Sequence, residues 1–561
     1  MQVRAAVVFL VALFAFLPEP RAAAQGTASS ITRNDAASPV LRIDPLLIAE
    51  AHEAWSLIGS ENDPVWPGWN ASSTPLLFYI PGVQDVLVNH PHPPQGFRLY
   101  SGPIEFPGWK IFVKDGPTII GMDGQNTSTE VDGVPTLVVA DTVSNMRQQV
   151  FGLVADPRPP QDKFQTISYQ SLITDPYDQM AMVTHEAFHV YQSKMAPDKG
   201  ASEMLLLYYP VLSVPNNVDF ALEGQALADA LRLTAAGQFR HAALRWLALR
   251  KDRRALLPPR AIEYEDGVEF TEGTAKYTEY RLFQVLEGRK PGAAMSWAQG
   301  FSGYDDLAPQ RQQLIEKMIQ NLSGAVNVNN DPYGTAPLRM RLYYSGMSMG
   351  VLLDRLMPGW QKRIYAADTS LTSLLDEALK ATPEELNAAL KEEKSKPGYA
   401  ELVKAKSKLS EDGKAHTEAM AKEIEDGPGV GLIVDYSQLV DPKVRMAFTP
   451  FGITVIDAQR TIFTQIPIQV KFGQQGELVQ TETAPLLHDK GRKLVRFRLP
   501  HSVTKAEVEK KVESILANGP TAAGLDLELP GATLKAAKAQ LRWNGNELTI
   551  MLMEAGKDAS Q

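Results

Sequence analysis

The chain of 561 residues carries a formal net charge of −9, a hydrophobic content of 44% and no cysteine. That length allows roughly two to four domains, each with a core of its own. An acidic balance without a basic stripe argues against a nucleic-acid partner, and the lack of cysteine excludes disulfides, thiolate metal sites, cysteine nucleophiles and a lipobox anchor.

At the N-terminus, Arg4 precedes an apolar run from Ala5 to Leu17, and Ala22-Ala23-Ala24 offers small residues before a cut near Gln25. This predicts a secretory signal peptide over residues 1–24. The run is too short for a comfortable membrane span. A periplasmic or secreted protein is expected, with no stable membrane insertion once the signal is cleaved. In that setting the sequons at Asn70 and Asn126 read as chance matches. Residues 25 to about 40 are small and polar, as in a flexible leader.

An N-terminal α/β region is expected over 25–160. Leu46 to Ile58 has helical spacing. It contains His52-Glu53, but Ser56 stands where a second metal ligand would be needed. Trp66-Pro67-Gly68-Trp69 predicts a turn with two aromatic anchors. Strand-like runs follow at Leu76 to Ile80, Val86 to Val88, Trp109 to Val113, Thr118 to Met122 and Thr136 to Ala140. His90 and His92 flank Pro91, so they belong to a loop and are read as solvent-exposed, with a loop lining a cleft as the alternative.

Residues 161–383 are expected to form a mostly helical domain, with helical spacing at Phe220 to Ala235, His241 to Arg250, Phe270 to Val285, Gln310 to Leu322 and Leu342 to Leu356. Its centre is His185-Glu186-Ala187-Phe188-His189. On a helix, residues four apart share a face, so both histidines can hold one metal ion. Glu186 beside them can take a proton from a metal-activated water. With nine histidines in the chain, a chance H-E-x-x-H has odds of roughly 1 in 100. The bland alternative is a buried helix whose histidines bond to neighbours.

A catalytic zinc needs three protein ligands and an open position. Gln192 and Met195 stand where the longer H-E-x-x-H-x-x-G-x-x-H motif has Gly and His, which excludes that family. Two glutamates have the E-G-x-A form: Glu223, in Glu223-Gly224-Gln225-Ala226, and Glu272, in Glu272-Gly273-Thr274-Ala275-Lys276-Tyr277. The first lies closer to His189; the second matches more fully, through Tyr277. Glu265, Glu269 and Glu272 form an acidic stripe at helical spacing, the first two read as solvated or supporting groups. The unused member of the Glu223/Glu272 pair could orient a ligand histidine or, for Glu223, pair with an arginine from Arg232 to Arg254.

Through His185 to Leu282 the chain resembles the gluzincin, or thermolysin-like, zinc peptidases. The resemblance implies a zincin-like α+β fold, one zinc ion held by His185, His189 and Glu272 or Glu223, and Glu186 as general base. Small residues after the glutamate would then let its helix approach the zinc. The G-x-M-E-N signature of the aminopeptidase subgroup is absent; Gly121 to Asn126 does not match it. Tyr344, or its neighbour Tyr343, is the candidate donor to an oxyanion, with His241 and Tyr277 as weaker ones. Packing is the alternative for both tyrosines. Gly346 and Gly350 suggest close helix packing behind them.

Residues 384–426 are rich in Lys, Glu and Ala and read as a charged helical linker. Gly427-Pro428-Gly429 breaks that pattern. From 427 to 561 alternation predicts a β-rich domain, with strands at Gly431 to Val434, Val444 to Phe448, Ile453 to Ile456, Ile466 to Phe472, Lys493 to Leu499 and Glu547 to Met553, and a helix at Lys505 to Ala517. The expected function is an exported zinc metallopeptidase acting on a peptide or protein substrate. A hydrolase of another amide or ester is indistinguishable by sequence. The alternative is an inactive zincin-like protein that binds peptides or serves in envelope assembly; an intact Glu186 argues against it.

Overall fold

A computed structural model describes residues 39–59, 64–120, 126–141, 144, 175–298, 300–324, 333–516 and 521–554. The expected signal peptide, the leader up to residue 38 and the start of the helical stretch, up to residue 174, lie outside the described residues. The fold is α+β; in chain order a small N-terminal sheet is followed by a run of helices and then by a large C-terminal sheet. Among the described residues no helix is long and apolar enough to cross a membrane. Two compact units can be distinguished, one made of residues 1–151, 159–197 and 278–311, the other of 152–158, 198–277 and 312–561.

In the first unit, α1 (Pro45–Ile58) starts at Asp44, whose side chain accepts from the Leu46 amide at 2.9 Å. Six strands follow: β1 (Leu76–Ile80), β2 (Gln84–Val88), β3 (Arg98–Leu99), β4 (Ile111–Asp115), β5 (Thr127–Val131) and β6 (Val134–Ala140). They form one sheet in the order β3-β4-β2-β1-β6-β5, with β1 and β6 parallel. The β5–β6 hairpin turns through Asp132 and Gly133 at φ of 47° and 74°, the backbone an Asp-Gly turn adopts. Leu77, Tyr79, Leu87, Val131, Val138 and Ala140 form a core on this sheet. The strand expected from Thr118 is absent over residues 118–120; there the Ile119 amide donates to the buried carboxylate of Asp85. The loop histidine His90 is buried rather than exposed, bonded through Nε2 to the Val131 carbonyl at 2.9 Å. Helix α2 (Pro176–Met195) packs on α1, β5 and β6.

The second unit contains α3 (Val214–Arg232), paired with α4 (Ala236–Arg254), and α5 (Pro259–Val268). A single π-helical turn, Glu269–Gly273, joins α5 to α6 (Thr274–Leu286). Then come α7 (Ala308–Leu322), α8 (Ala336–Leu356), α9 (Leu371–Leu379), α10 (Pro383–Lys394) and α11 (Tyr399–Asp426). The charged segment is thus two helices, and both are packed. Glu393 of α10 is buried in an ion pair with Arg245, and Ala421 and Ile424 of α11 form a core with Ile462 and Leu487.

The C-terminal sheet has eleven strands: β7 (Gly431–Asp435), β8 (Val444–Ala447), β9 (Ile453–Val455), β10 (Arg460–Phe463), β11 (Gln469–Phe472), β12 (Gly476–Gln480), β13 (Leu486–Asp489), β14 (Leu494–Arg498), β15 (Thr521–Leu529), β16 (Ala532–Asn544) and β17 (Glu547–Leu552). Its order is β8-β11-β12-β16-β17-β7-β14-β13-β10-β9, with β15 also pairing to β16. Helix α12 (Lys505–Leu516) packs on β15. Five of these strands, β10, β12, β13, β15 and β16, escape the sequence reading.

Within the second unit, α8 meets the π-helical turn backbone to backbone. A Cβ on Gly273 would stand 2.6 Å from the Gly346 Cα, and one on Gly350 would stand 2.7 Å from the Tyr277 ring. The close packing expected of Gly346 and Gly350 is therefore real, and its partners are the turn and the helix that follow α5. Gly346→Ala gains about 1 kcal/mol of helix propensity but drives a methyl into backbone that cannot rotate away. Overpacking of this kind costs about 1–3 kcal/mol, so we expect net destabilisation, read as a lower midpoint in denaturant unfolding.

Candidate metal centre

Helix α2 holds its side chains rigidly. Asp175 caps it, accepting from the Tyr177 amide at 2.8 Å, and Pro176 opens its first turn. From Pro176 to Phe188 every residue but Asp178 is buried. Phe188 packs against Trp66 and Trp69, with ring centroids 4.6 and 5.1 Å away. The expected aromatic turn therefore anchors the HExxH helix, and Gly68 lets it form at a φ of 84°.

His185 and His189 lie one turn apart with ring centroids 4.8 Å from each other. Together with Glu272 they make a group that could hold a metal ion, their ligand atoms all within 4.8 Å of one another. Each imidazole is oriented from its Nδ1 side. The Glu279 carboxylate lies 2.8 Å from Nδ1 of His185, and the Gln192 amide oxygen lies 2.9 Å from Nδ1 of His189. A histidine donating from Nδ1 presents Nε2 as its lone-pair nitrogen, which is how such ligands are commonly prepared for a metal. Two imidazoles and a carboxylate are also a donor set that zinc accepts in catalytic sites. The residues present therefore fit a zinc ion. Glu186 is buried beside His185 on the same helix.

Glu272 sits in the π-helical turn, an irregularity often found at functional positions. Arg339 of α8 donates from Nη2 to Oε1 of Glu272 at 2.8 Å. On its other side, the same guanidinium pairs with Glu203, which also accepts from the Tyr264 hydroxyl at 3.1 Å. Burial raises the pKa of Glu203 despite Arg339 and Tyr264, which act to lower it. Tyr343 lies against Glu272; burial, and then that carboxylate, push its phenol well above the ordinary tyrosine range.

Glu223, the alternative ligand, lies elsewhere. Both its oxygens are taken by arginines, Nη1 of Arg250 at 3.1 Å and Nε of Arg253 at 2.5 Å. Glu265 and Glu269 are not solvated: both are buried in the same network, Glu265 with Arg253 and Arg254, Glu269 with Arg250 and Ser345. Burial alone would raise Glu265, but Arg253, Arg254 and Arg250 outweigh it and hold the carboxyl well below the usual range. The carboxylate that orients His185 is thus Glu279, and neither glutamate of the E-G-x-A pair. It stands seven positions beyond Glu272, about two helical turns on, a spacing that makes it findable in retrospect. Gln192, three positions after His189, carries the same kind of signal.

Of the two tyrosines, Tyr343 is the one beside Glu272. Tyr344 is buried with the Lys276 ammonium 5.3 Å from its ring centroid. The Tyr277 hydroxyl donates to Asp354 at 2.9 Å, and His241 is half-exposed beside Glu392. Gly273 admits the backbone of α8, as the contact with Gly346 shows.

No protein-family model matches this chain, and no curated protein or solved structure shows significant similarity to it. The site therefore rests on its own geometry. If Glu279 holds His185 for a metal, Glu279→Ala weakens zinc binding by about 10–100-fold while Glu377→Gln, on the exposed face of α9, leaves it unchanged. Competition against a chromophoric chelator measures both.

Proposed function

We propose that this chain is an exported zinc-dependent hydrolase, and that it cleaves peptide bonds. The observation that carries this reading is the convergence of His185, His189 and Glu272, with Glu186 beside the first histidine. When bound, zinc would supply a Lewis acid that polarises a scissile carbonyl and acidifies a water. His185 and His189 would hold it through Nε2, and Glu272 through a carboxylate oxygen. Glu279 and Gln192 keep both imidazoles in the tautomer this requires. Glu186 accepts the proton of the attacking water on its carboxylate and passes it to the leaving nitrogen. The buried setting of α2 holds that carboxylate in one place, which general-base catalysis needs. The N-terminal signal pattern supports export.

The test begins with purified mature protein and its metal content by mass spectrometry. About one zinc per chain is expected, lost in His185→Ala. Glu186→Gln should keep the zinc and lose turnover of a peptide library by about 10²–10⁴-fold. Zinc without turnover of peptides, other amides or esters would favour the binding-protein alternative. No zinc after reconstitution would sink the metalloenzyme reading.

A further inference from the structure

We infer that Arg339 is a positioning residue that keeps Glu272 a one-oxygen ligand and so sets which metal the site prefers. The inference rests on the proposed metal site. Its basis is the way the guanidinium is held. Arg339 is buried, 5% exposed. Nη2 binds Oε1 of Glu272 at 2.8 Å, while Nη1 is fixed by Glu203 and by the Tyr264 hydroxyl at 3.3 Å. The ring of Tyr343 lies 5.7 Å from the guanidinium carbon on one flank and that of Phe451 lies 5.8 Å away on another.

A planar group clamped at both ends cannot follow the carboxylate if it turns. Charge-assisted bonds of this kind are also the strong ones. Oε1 of Glu272 is therefore held by Arg339, and a metal bound with His185 and His189 would meet this carboxylate through one oxygen. Two imidazoles and a single carboxylate oxygen make a small site of the kind zinc takes. A carboxylate able to swing and use both oxygens suits larger, oxygen-preferring cations such as manganese or calcium. Glu203 has its own part in this. It neutralises Arg339, so that the guanidinium orients Glu272 without removing all of the charge the metal would feel.

The experiment uses the full mature chain and reads zinc and manganese affinity by chelator competition. Three forms are compared: wild type, Arg339→Lys, and the pair Arg339→Met with Glu203→Gln, which removes the guanidinium together with the Glu203 carboxylate it neutralises. The paired variant should lose zinc affinity by about 10–100-fold and narrow the zinc-over-manganese ratio. Arg339→Lys, which keeps the charge without the planar fork, should fall between. Zinc K-edge absorption on wild type needs no variant to fold; it should report one carboxylate oxygen, and a two-oxygen glutamate would overturn the inference. Unchanged affinities and an unchanged ratio in both variants, with zinc still lost in His185→Ala, would reject the role of Arg339 and leave the proposed function standing. A wild type that binds no zinc would remove both.

Discussion

The candidate site depends on a contact in which two backbones touch. Gly273 and Gly346 meet so closely that a single methyl on either would collide with main chain. This puts the π-helical turn flat against α8, and the consequences follow from helical spacing. Glu272, one residue before Gly273, reaches Arg339. Glu269, four residues before it, reaches Ser345. A larger residue at either glycine would push these carboxylates away from the groups that hold them.

Around that contact the second unit buries an unusual amount of charge. Arg250, Arg253 and Arg339 are all within the protein, and each faces at least one glutamate. Ion pairs taken out of water contribute little net stability, since desolvation offsets most of the attraction; breaking one by removing a partner is strongly destabilising. Such networks hold geometry at the expense of stability. Here the geometry held is that of α4, α5 and the turn bearing Glu272. The first unit uses apolar means for the same end: α2 is fixed by its cap, by the sheet beneath it and by Trp66 and Trp69 around Phe188.

Much of the architecture was legible in the chain. The HExxH helix, the early sheet, the succession of long helices and the β-rich C-terminus all have strong periodicity, because each buries one face or alternates across a sheet. The strands that went unread are informative. β5 reads Thr-Ser-Thr-Glu-Val, polar at the sheet edge, and β16 is rich in alanine and lysine. Ala and Lys favour helix intrinsically, so only pairing with β12, β15 and β17 makes that segment a strand. His90 looked like a loop residue on the surface, and its burial follows from a hydrogen bond to a distant carbonyl that no local pattern encodes.

The sequence by itself determined that His185 and His189 share one helix face, because four-residue spacing is a property of the helix alone. It also narrowed the third ligand to two glutamates with the same local motif. Which of them joins the histidines was decided by the tertiary structure. Glu223 and Glu272 have similar neighbours in the chain, but one lies between Arg250 and Arg253 and the other beside Arg339 and Tyr343. The partners of a buried charge come from helices far away in sequence, and only folding brings them within hydrogen-bonding distance.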